Sequence, residues 1–244
     1  MSGASSPESF FVTRTMQALE VLAFQPCSAP QIADVLRVDA RTARRLLNRL
    51  ADDGWLTRTD GRTRMYSLSL RVVALAAHFA ERAPLARAAQ AAVRALHDRT
   101  GATAHLTVPS YRSVLCLAQR AGSADARPRM RELVPAHASA GGKLLLGHRA
   151  PWRESVLELP LERLTERTII DADVLRKVCA ASAERGFATE EGEYRDGLQG
   201  IAAPVRDASG DVVAAMTLSG PDVLNEQRAV AKAAADVEEG LREA

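Results

Sequence analysis

Seven arginines fall within residues 38–68: Arg41, Arg44, Arg45, Arg49, Arg58, Arg62 and Arg64. Four carboxylates share that stretch, Asp39, Asp52, Asp53 and Asp60. A guanidinium offers a planar fork of N–H donors that matches a phosphate or the acceptor edge of guanine. A nucleic acid is the partner such a cluster suits; an ordinary solvated surface is the alternative. The spacing bears on the choice. At about 100° per helical residue, Arg41, Arg44, Arg45, Asn48 and Arg49 share a sector of roughly 140°. Ala43, Leu46, Leu47 and Leu50 take the opposite side. No glutamate is interleaved at i+4 to offset the repulsion among these arginines, and an anionic partner resolves it.

The flanking segments position that sector. A helix over about 40–53 has Asp39 as its N-cap and Gly54 as its stop. A short helix beginning near Pro30 precedes it, with Ile32, Val35 and Leu36 as its apolar side. A tight connection, "LRVDA", joins the two. An earlier helical run starts at Thr13, carries Met16, Leu19, Leu22 and Ala23, and ends at Pro26. Residues 1–12 read as a flexible tail. Downstream, "TDGRT" has the Asp60–Gly61 signal of a hairpin turn, flanked by Trp55, Leu56, Met65, Tyr66 and Leu68. Three helices and then a hairpin are the order of a winged helix-turn-helix, here over 13–68. In that motif the second helix of the pair enters the major groove. Arg58, Arg62 and Arg64 on the wing would then meet phosphate or the minor groove.

A further helix over about 70–83 runs up to Pro84, so that 69–84 reads as a linker. The remainder, 85–244, has a different character. It opens with an alanine-rich helix over 85–99, stopped by Gly101. "ATAHLTV" and "RSVLCLAQR" read as a strand hairpin, and "AHASAGGKLLLG" as a turn entering a helix. A helix over 172–185 ends at Gly186. "GIAAPVRDASGDVVAAMTLSG" reads as two strands with a glycine-containing turn, and 223–243 as a last helix. Strands bracketed by helices indicate an α+β domain around an antiparallel sheet.

Composition narrows the function classes. A chain of 244 residues with 47% hydrophobic residues can build packed cores. Residues 1–82 hold 11 basic and 8 acidic side chains, and the remaining 162 hold 21 and 22, so the excess positive charge sits in the first third. Cys27, Cys116 and Cys179 are far apart, with no CxxC pair, which suggests neither a disulfide framework nor a structural zinc site. No apolar run approaches the roughly 18 residues of a membrane span. The N-terminus is unlike a signal peptide, and a cytoplasmic location is expected. For catalysis, His105, Cys116 and His137 are the residues to weigh, as a Cys–His pair or a metal site. No spacing supports either role, and a buried free thiol with packed imidazoles is the plainer expectation. Phosphate-cradling and nucleophile-elbow motifs are absent. No enzyme activity, metal or cofactor is expected.

Two stretches resemble the IclR family of bacterial transcription regulators. "SAPQIADVLRVDARTARRLLNRLADDGWLTRTDGRTRMYSLSLRVVALA" is similar to the family's winged helix-turn-helix and linker helix. "HASAGGKLLLG" and "ERGFATEEGEYRDGLQGIAAPVRDASGDVVAAMTLSGP" are similar to its effector-binding domain. The resemblance implies an N-terminal DNA-binding domain and a C-terminal GAF-like, antiparallel-sheet domain that binds a small molecule, often an organic acid. It implies a homodimer or homotetramer on a roughly palindromic operator, and no membrane. A small-molecule sensor working through a protein partner, without DNA, is the alternative. Repression and activation use the same parts.

Carried over by residue, Thr42 and Arg45 match the family's recognition helix. Arg41 stands where the family often has serine, and Arg44 where it often has histidine. Ala140, Gly141 and Gly142 match the loop whose N–H groups meet the effector, at a helix start suited to a carboxylate. Glu190 matches an acidic pocket position. Thr217 and Ser219 match two hydroxyl positions and, two residues apart, share one side of a strand. Gly200 stands where many members carry cysteine, which frees space for an effector larger than the smallest two- or three-carbon acids. Glu190 could instead be an exposed carboxylate, Thr217 and Ser219 could merely satisfy backbone, and Gly141 and Gly142 could serve only the turn. Lys143 is expected to point to solvent.

Overall fold

A computed structural model describes residues 7–59, 61, 63–80, 83–122 and 134–243. The chain divides into two compact units, Met1–Arg82 and Ala83–Ala244.

The first unit begins with α1 (Pro7–Phe24), so the stretch 7–12, expected as tail, is helical. Next come β1 (Cys27–Ser28), α2 (Ala29–Leu36) and α3 (Ala40–Asp52). They are followed by β2 (Leu56–Thr59), β3 (Met65–Leu68) and α4 (Leu70–Ala80). Ser28 opens α2 through a capping box with Gln31, whose side chain accepts from the Ser28 N–H at 2.8 Å. Arg37 ends it in the left-handed region (φ 52°), a tight corner that turns the chain into α3 within three residues. Strands β1, β3 and β2 form a small antiparallel sheet in that order. The short β1 has no periodic signature, because two residues define no alternation. Ile32, Leu36, Leu47 and Tyr66 are fully buried in one core with the apolar sides of all three helices.

The second unit holds α5 (Pro84–Thr100), β4 (Thr103–Ser110), β5 (Ser113–Arg120) and β6 (Val134–Pro135). After them come α6 (Ala140–His148), α7 (Ala150–Leu157) and α8 (Ala172–Arg185). The chain closes with β7 (Ala188–Glu191), β8 (Gln199–Arg206), β9 (Val212–Gly220) and α9 (Gln227–Arg242). The six strands form one antiparallel sheet in the order β6-β5-β4-β9-β8-β7.

Each central strand alternates between two interiors. Ala104 and Leu106 of β4, Met216 and Leu218 of β9 and Ile201 and Ala203 of β8 pack with α5 and α9. Ala202 and Ala215 belong to a separate cluster with α6. On that α6 side β4 contributes Thr103, His105 and Thr107, and β9 contributes Thr217 and Ser219, all of them buried. A run of buried polar side chains on one face of a covered sheet is what a hydrophobic core avoids, and it marks a site.

Candidate functional site

The first candidate surface is α3. Asp39 caps it, accepting from the Thr42 N–H at 2.9 Å and the Thr42 hydroxyl at 2.7 Å. Those two bonds hold the Asp39 carboxyl below its ordinary pKa. Ala43, Leu46, Leu47 and Leu50 are buried, and Arg41, Arg44, Arg45 and Arg49 are exposed. At the far end, Arg71 donates to the Asp53 carbonyl at 2.8 Å while its guanidinium lies 4.4 Å from the Trp55 ring centre. That clamp fixes the last turn of α3 against the start of α4, a role the sequence pattern did not reveal.

The expected DNA-contacting residues separate into groups. Arg41, Arg44 and Arg45 have no ion pair among the described residues. Arg49 is paired with Asp53 at 3.1 Å, and Arg58 with Asp52 at 3.2 Å. The Thr42 hydroxyl is committed to the cap. The Asn48 side-chain oxygen accepts from the Tyr66 hydroxyl at 2.8 Å, which ties the helix to the wing strand β3. Arg64 is exposed beside that strand, and Arg62 lies outside the described residues, as does Asp60.

The second candidate is a cavity of about 50 Å³ between the α6 side of the sheet and the start of α6. Ser139 caps α6 by accepting from the Gly142 N–H at 3.2 Å. Ala140 and Gly141, in the same first turn, line the cavity. N–H groups at a helix start have no acceptor within the helix, and the helix dipole favours an anion there. Glycine is required at both following positions. A Cβ on Gly141 would stand 2.7 Å from the Thr107 hydroxyl and 3.0 Å from that of Thr217. A Cβ on Gly142 would stand 2.2 Å from the Ala136 carbonyl oxygen.

Glu190, on β7, is only 3% exposed and reaches the same cavity. Burial pushes its carboxyl up to about 7, although Oε1 accepts from the Glu193 N–H at 2.8 Å and the Tyr194 N–H at 3.1 Å. Gly200 faces it across the β7–β8 pair. A Cβ there would sit in ordinary contact, 3.5 Å from both Glu190 Oε2 and the Ala140 methyl. The space released by glycine at this position is therefore small. Thr217 and Ser219 both line the cavity, and the Thr217 hydroxyl is buried without a partner.

His105, Gln119, Thr107 and Cys116 complete the polar wall from β4 and β5. Burial holds His105 down to about 4, so it is neutral at neutral pH. Burial pushes the Cys116 thiol up to about 11, which leaves no thiolate nucleophile. His137 is elsewhere, with Nε2 2.9 Å from the Glu162 carbonyl oxygen. Thr107 and Gln119 were not foreseen as site residues. The alternation Thr103, His105, Thr107 in "TAHLT" was the available signal, since polar residues at period two share a face. Lys143 does not point to solvent. It is 2% exposed and forms an ion pair with Glu193, which joins α6 to the loop after β7. Among the described residues there is no group of three or more His, Cys, Asp or Glu placed to hold a metal, and no helix long and apolar enough to cross a membrane.

Residues 77–243 match the family model described as "Bacterial transcriptional regulator IclR C-terminal". The chain belongs to the IclR family. Residues 13–64 match a MarR-family helix-turn-helix model. Among curated IclR-like relatives, the transcriptional regulator BhcR of Paracoccus denitrificans is 30% identical over 217 residues, covering 85% of this chain and 76% of its own. The probable transcriptional regulator SauR of Cupriavidus necator is 30% identical over 214 residues, covering 85% and 84%. An IclR homologue from Microbacterium hydrocarbonoxydans, solved with 4-hydroxybenzoate, superposes with a TM-score of 0.73 at 26% identity, covering 96% of this chain and 100% of that one. A Silicibacter regulator of the same fold gives a TM-score of 0.77 at 21% identity, covering 96% and 95%. This IclR-family chain is thus a transcriptional regulator and not an enzyme, with an N-terminal helix-turn-helix and a C-terminal antiparallel-sheet effector domain.

Proposed function

We propose that this regulator binds a roughly two-fold-symmetric operator as a homodimer or homotetramer and is switched by a small organic acid. Residues 13–68 serve as the DNA-reading domain, 69–84 as the linker and 85–244 as the effector domain. The observation that carries the DNA half is the exposed row Arg41, Arg44 and Arg45 on the second helix of the motif, free of the ion pairs that occupy Arg49 and Arg58. In this geometry those three reach base edges and phosphates, while Thr42 and Asn48 hold the helix in place. Arg49, Arg58, Arg62 and Arg64 supply positive charge around them.

The effector enters the cavity beneath α6, its carboxylate at the first turn formed by Ala140, Gly141 and Gly142. Glu190, Gly200, Thr217 and Ser219 make the remaining contacts. The small acid bound to the Microbacterium relative supports that class of ligand. Effector binding shifts the population between arrangements of the linker helices, and only a difference in its affinity for those arrangements can drive the shift.

The deciding experiment measures binding of the purified protein to the DNA upstream of its own gene, against random DNA, over a salt series. Sequence-selective binding that weakens steeply with salt is expected. Arg44→Ala with Arg45→Ala should lower the slope of log K against log salt by about 1.8 per protomer if both contact phosphate, and should leave acid binding intact. Absence of binding to either DNA would make the arginine face a solvated one and favour a sensor that works through a protein partner. Loss of acid binding in the double variant would refute the division of labour between the domains.

A further inference from the structure

The two carboxyl oxygens of Glu190 have different surroundings. Oε1 accepts from the Glu193 N–H at 2.8 Å and the Tyr194 N–H at 3.1 Å. Oε2 makes no hydrogen bond among the described residues. Two donors on Oε1 mark it as the carbonyl oxygen of a neutral carboxyl, so a proton on this group belongs on Oε2. Oε2 and the Ala140 methyl flank one point above Gly200, each 3.5 Å from where a Cβ would stand. Ala140 opens α6, and with Gly141 it lines the cavity. Thr217, beneath Gly141, keeps a buried hydroxyl without a partner. Oε2 therefore faces the end of the cavity where the helix start and a free hydroxyl favour an anion. Few charges stand near. Glu193 follows on the same loop, and Lys143 of α6 is committed to it by an ion pair. Arg167 donates to the Glu191 carbonyl at 3.2 Å, and β8 brings only Gly200 opposite Glu190. His105 of β4, held down to about 4, is uncharged at neutral pH. So are Cys116 of β5, pushed up to about 11, and Cys179 of α8, pushed up to about 12. Among the residues lining the cavity there is no lysine or arginine.

We propose that the effector site takes up a proton together with its acid: Glu190 holds the proton on Oε2 and donates it in a hydrogen bond to the effector carboxylate at the start of α6. This assignment rests on reading the cavity as the effector site. A cavity of about 50 Å³ leaves two carboxylates no room to stand apart, and two that share a site do not both ionise. Burial already pushes Glu190 up to about 7, so near neutral pH the proton is readily held. An anion beside it raises that value further, and acid and proton strengthen each other's binding by the same factor. Below pH 7 the free protein already holds the proton, and binding absorbs none. Above pH 7 the free protein is ionised, and each acid bound brings in one proton. Affinity then falls by a factor that approaches about tenfold for each pH unit. The regulator thus answers a given concentration of acid more fully as pH falls. An ammonium group set against Glu190 would need the ionised carboxylate and would give the opposite dependence.

Calorimetric titration of the full-length protein at pH 6, 7 and 8 tests the assignment, with acetate, propionate, butyrate, glycolate, lactate and pyruvate as probes. Such carboxyl groups titrate at about 3–5, so the probes are ionised throughout and any proton absorbed goes to the protein. Each titration is run in two buffers of unlike ionisation enthalpy, and the difference in heat counts the protons. For a probe that binds, uptake should be about one proton at pH 8 and close to none at pH 6, and the dissociation constant should rise about fivefold from pH 7 to pH 8. Glu190→Gln imitates the neutral carboxyl, because the Glu193 and Tyr194 N–H groups fix its oxygen and leave its NH2 at the Oε2 position. It should bind the same probe without proton uptake, equally well at every pH, and about tenfold more tightly than the parent at pH 8. Binding that absorbs no proton at pH 8, or that tightens as pH rises, overturns the proposal and leaves the effector site standing. Uptake that survives Glu190→Gln also overturns it and assigns the proton to His105. If no probe binds at any pH, the effector-site reading falls as well. Should Glu190→Gln fail to fold, the parent's uptake profile decides alone, since uptake by His105 would already be complete at pH 6.

Discussion

Glu190 makes the stability of the effector domain depend on pH in a defined direction. Its carboxyl is pushed from an ordinary value of 4.5 to about 7, chiefly by burial, with the Glu193 charge adding to the shift. The Tyr194 and Glu193 N–H groups and the Lys143 charge oppose it. Below pH 4.5 both the folded and unfolded chains hold the proton, and nothing is lost. Between about 4.5 and 7 the unfolded chain releases the proton and the folded chain keeps it, so stability falls as pH rises. Above about 7 both are ionised and the loss is complete. A difference of some 2.5 pH units at 1.36 kcal/mol each amounts to about 3 kcal/mol.

Glu190→Gln removes the titration and keeps a carbonyl oxygen to accept from Glu193 and Tyr194. The variant should therefore gain about 3 kcal/mol on the parent protein between pH 5 and pH 8. For a domain of this size that corresponds to roughly 6–12 °C in melting temperature. Thermal unfolding of both proteins at half-unit pH intervals measures the difference, with His105 neutral throughout the range. Parallel curves from pH 5 to pH 8 would refute the argument, because they would mean that Glu190 is ionised in the fold at every pH tested.

Three further outcomes follow from particular contacts. Gly141→Ala forces a methyl to within 2.7 Å of the Thr107 hydroxyl. It should abolish the thermal shift produced by the effector while operator binding in a mobility-shift assay is retained. Lys143→Met leaves Glu193 buried without its partner and should cost about 3–5 kcal/mol in denaturant unfolding. Lys143→Met combined with Glu193→Leu should recover most of that loss, and a double variant no better than the single would show that the pair is not the cause. Tyr66→Phe removes the bond to Asn48 and should destabilise the first unit by about 1 kcal/mol, read as the unfolding of that domain followed by Trp55 fluorescence.

Much of the DNA-reading unit was legible in the sequence because its determinants are local. Asp39, the 3.6-residue spacing of Leu46, Leu47 and Leu50, and Gly54 act within one or two helical turns. They define α3 and its basic face whatever the rest of the chain does. Which arginines stay free was only partly legible, because one of the two pairs is local and the other is made by the fold. Asp53 lies one turn from Arg49 and takes it, and the wing brings Arg58 to Asp52. The start of α1 at Pro7 was missed because the first residues show no clear apolar period.

In the effector domain the sequence by itself determined α5, β4, β5, α6, α8, β8, β9 and α9 and the glycine turn that begins α6, whereas β6, α7 and β7 emerged only in the fold. Tertiary structure decided the site. Residues 108 positions apart, Thr107 and Ala215, are neighbours because β4 pairs with β9. That pairing sets His105 beside Thr217 and places Thr107 and Thr217 beneath Gly141. The same packing buries Lys143 against Glu193, where an isolated helix would leave it in water. A side chain's type and period depend on its near neighbours in the chain. Its desolvation and its partners depend on which distant strand lies beside it, and for Glu190, His105 and Gln119 those two quantities are the chemistry.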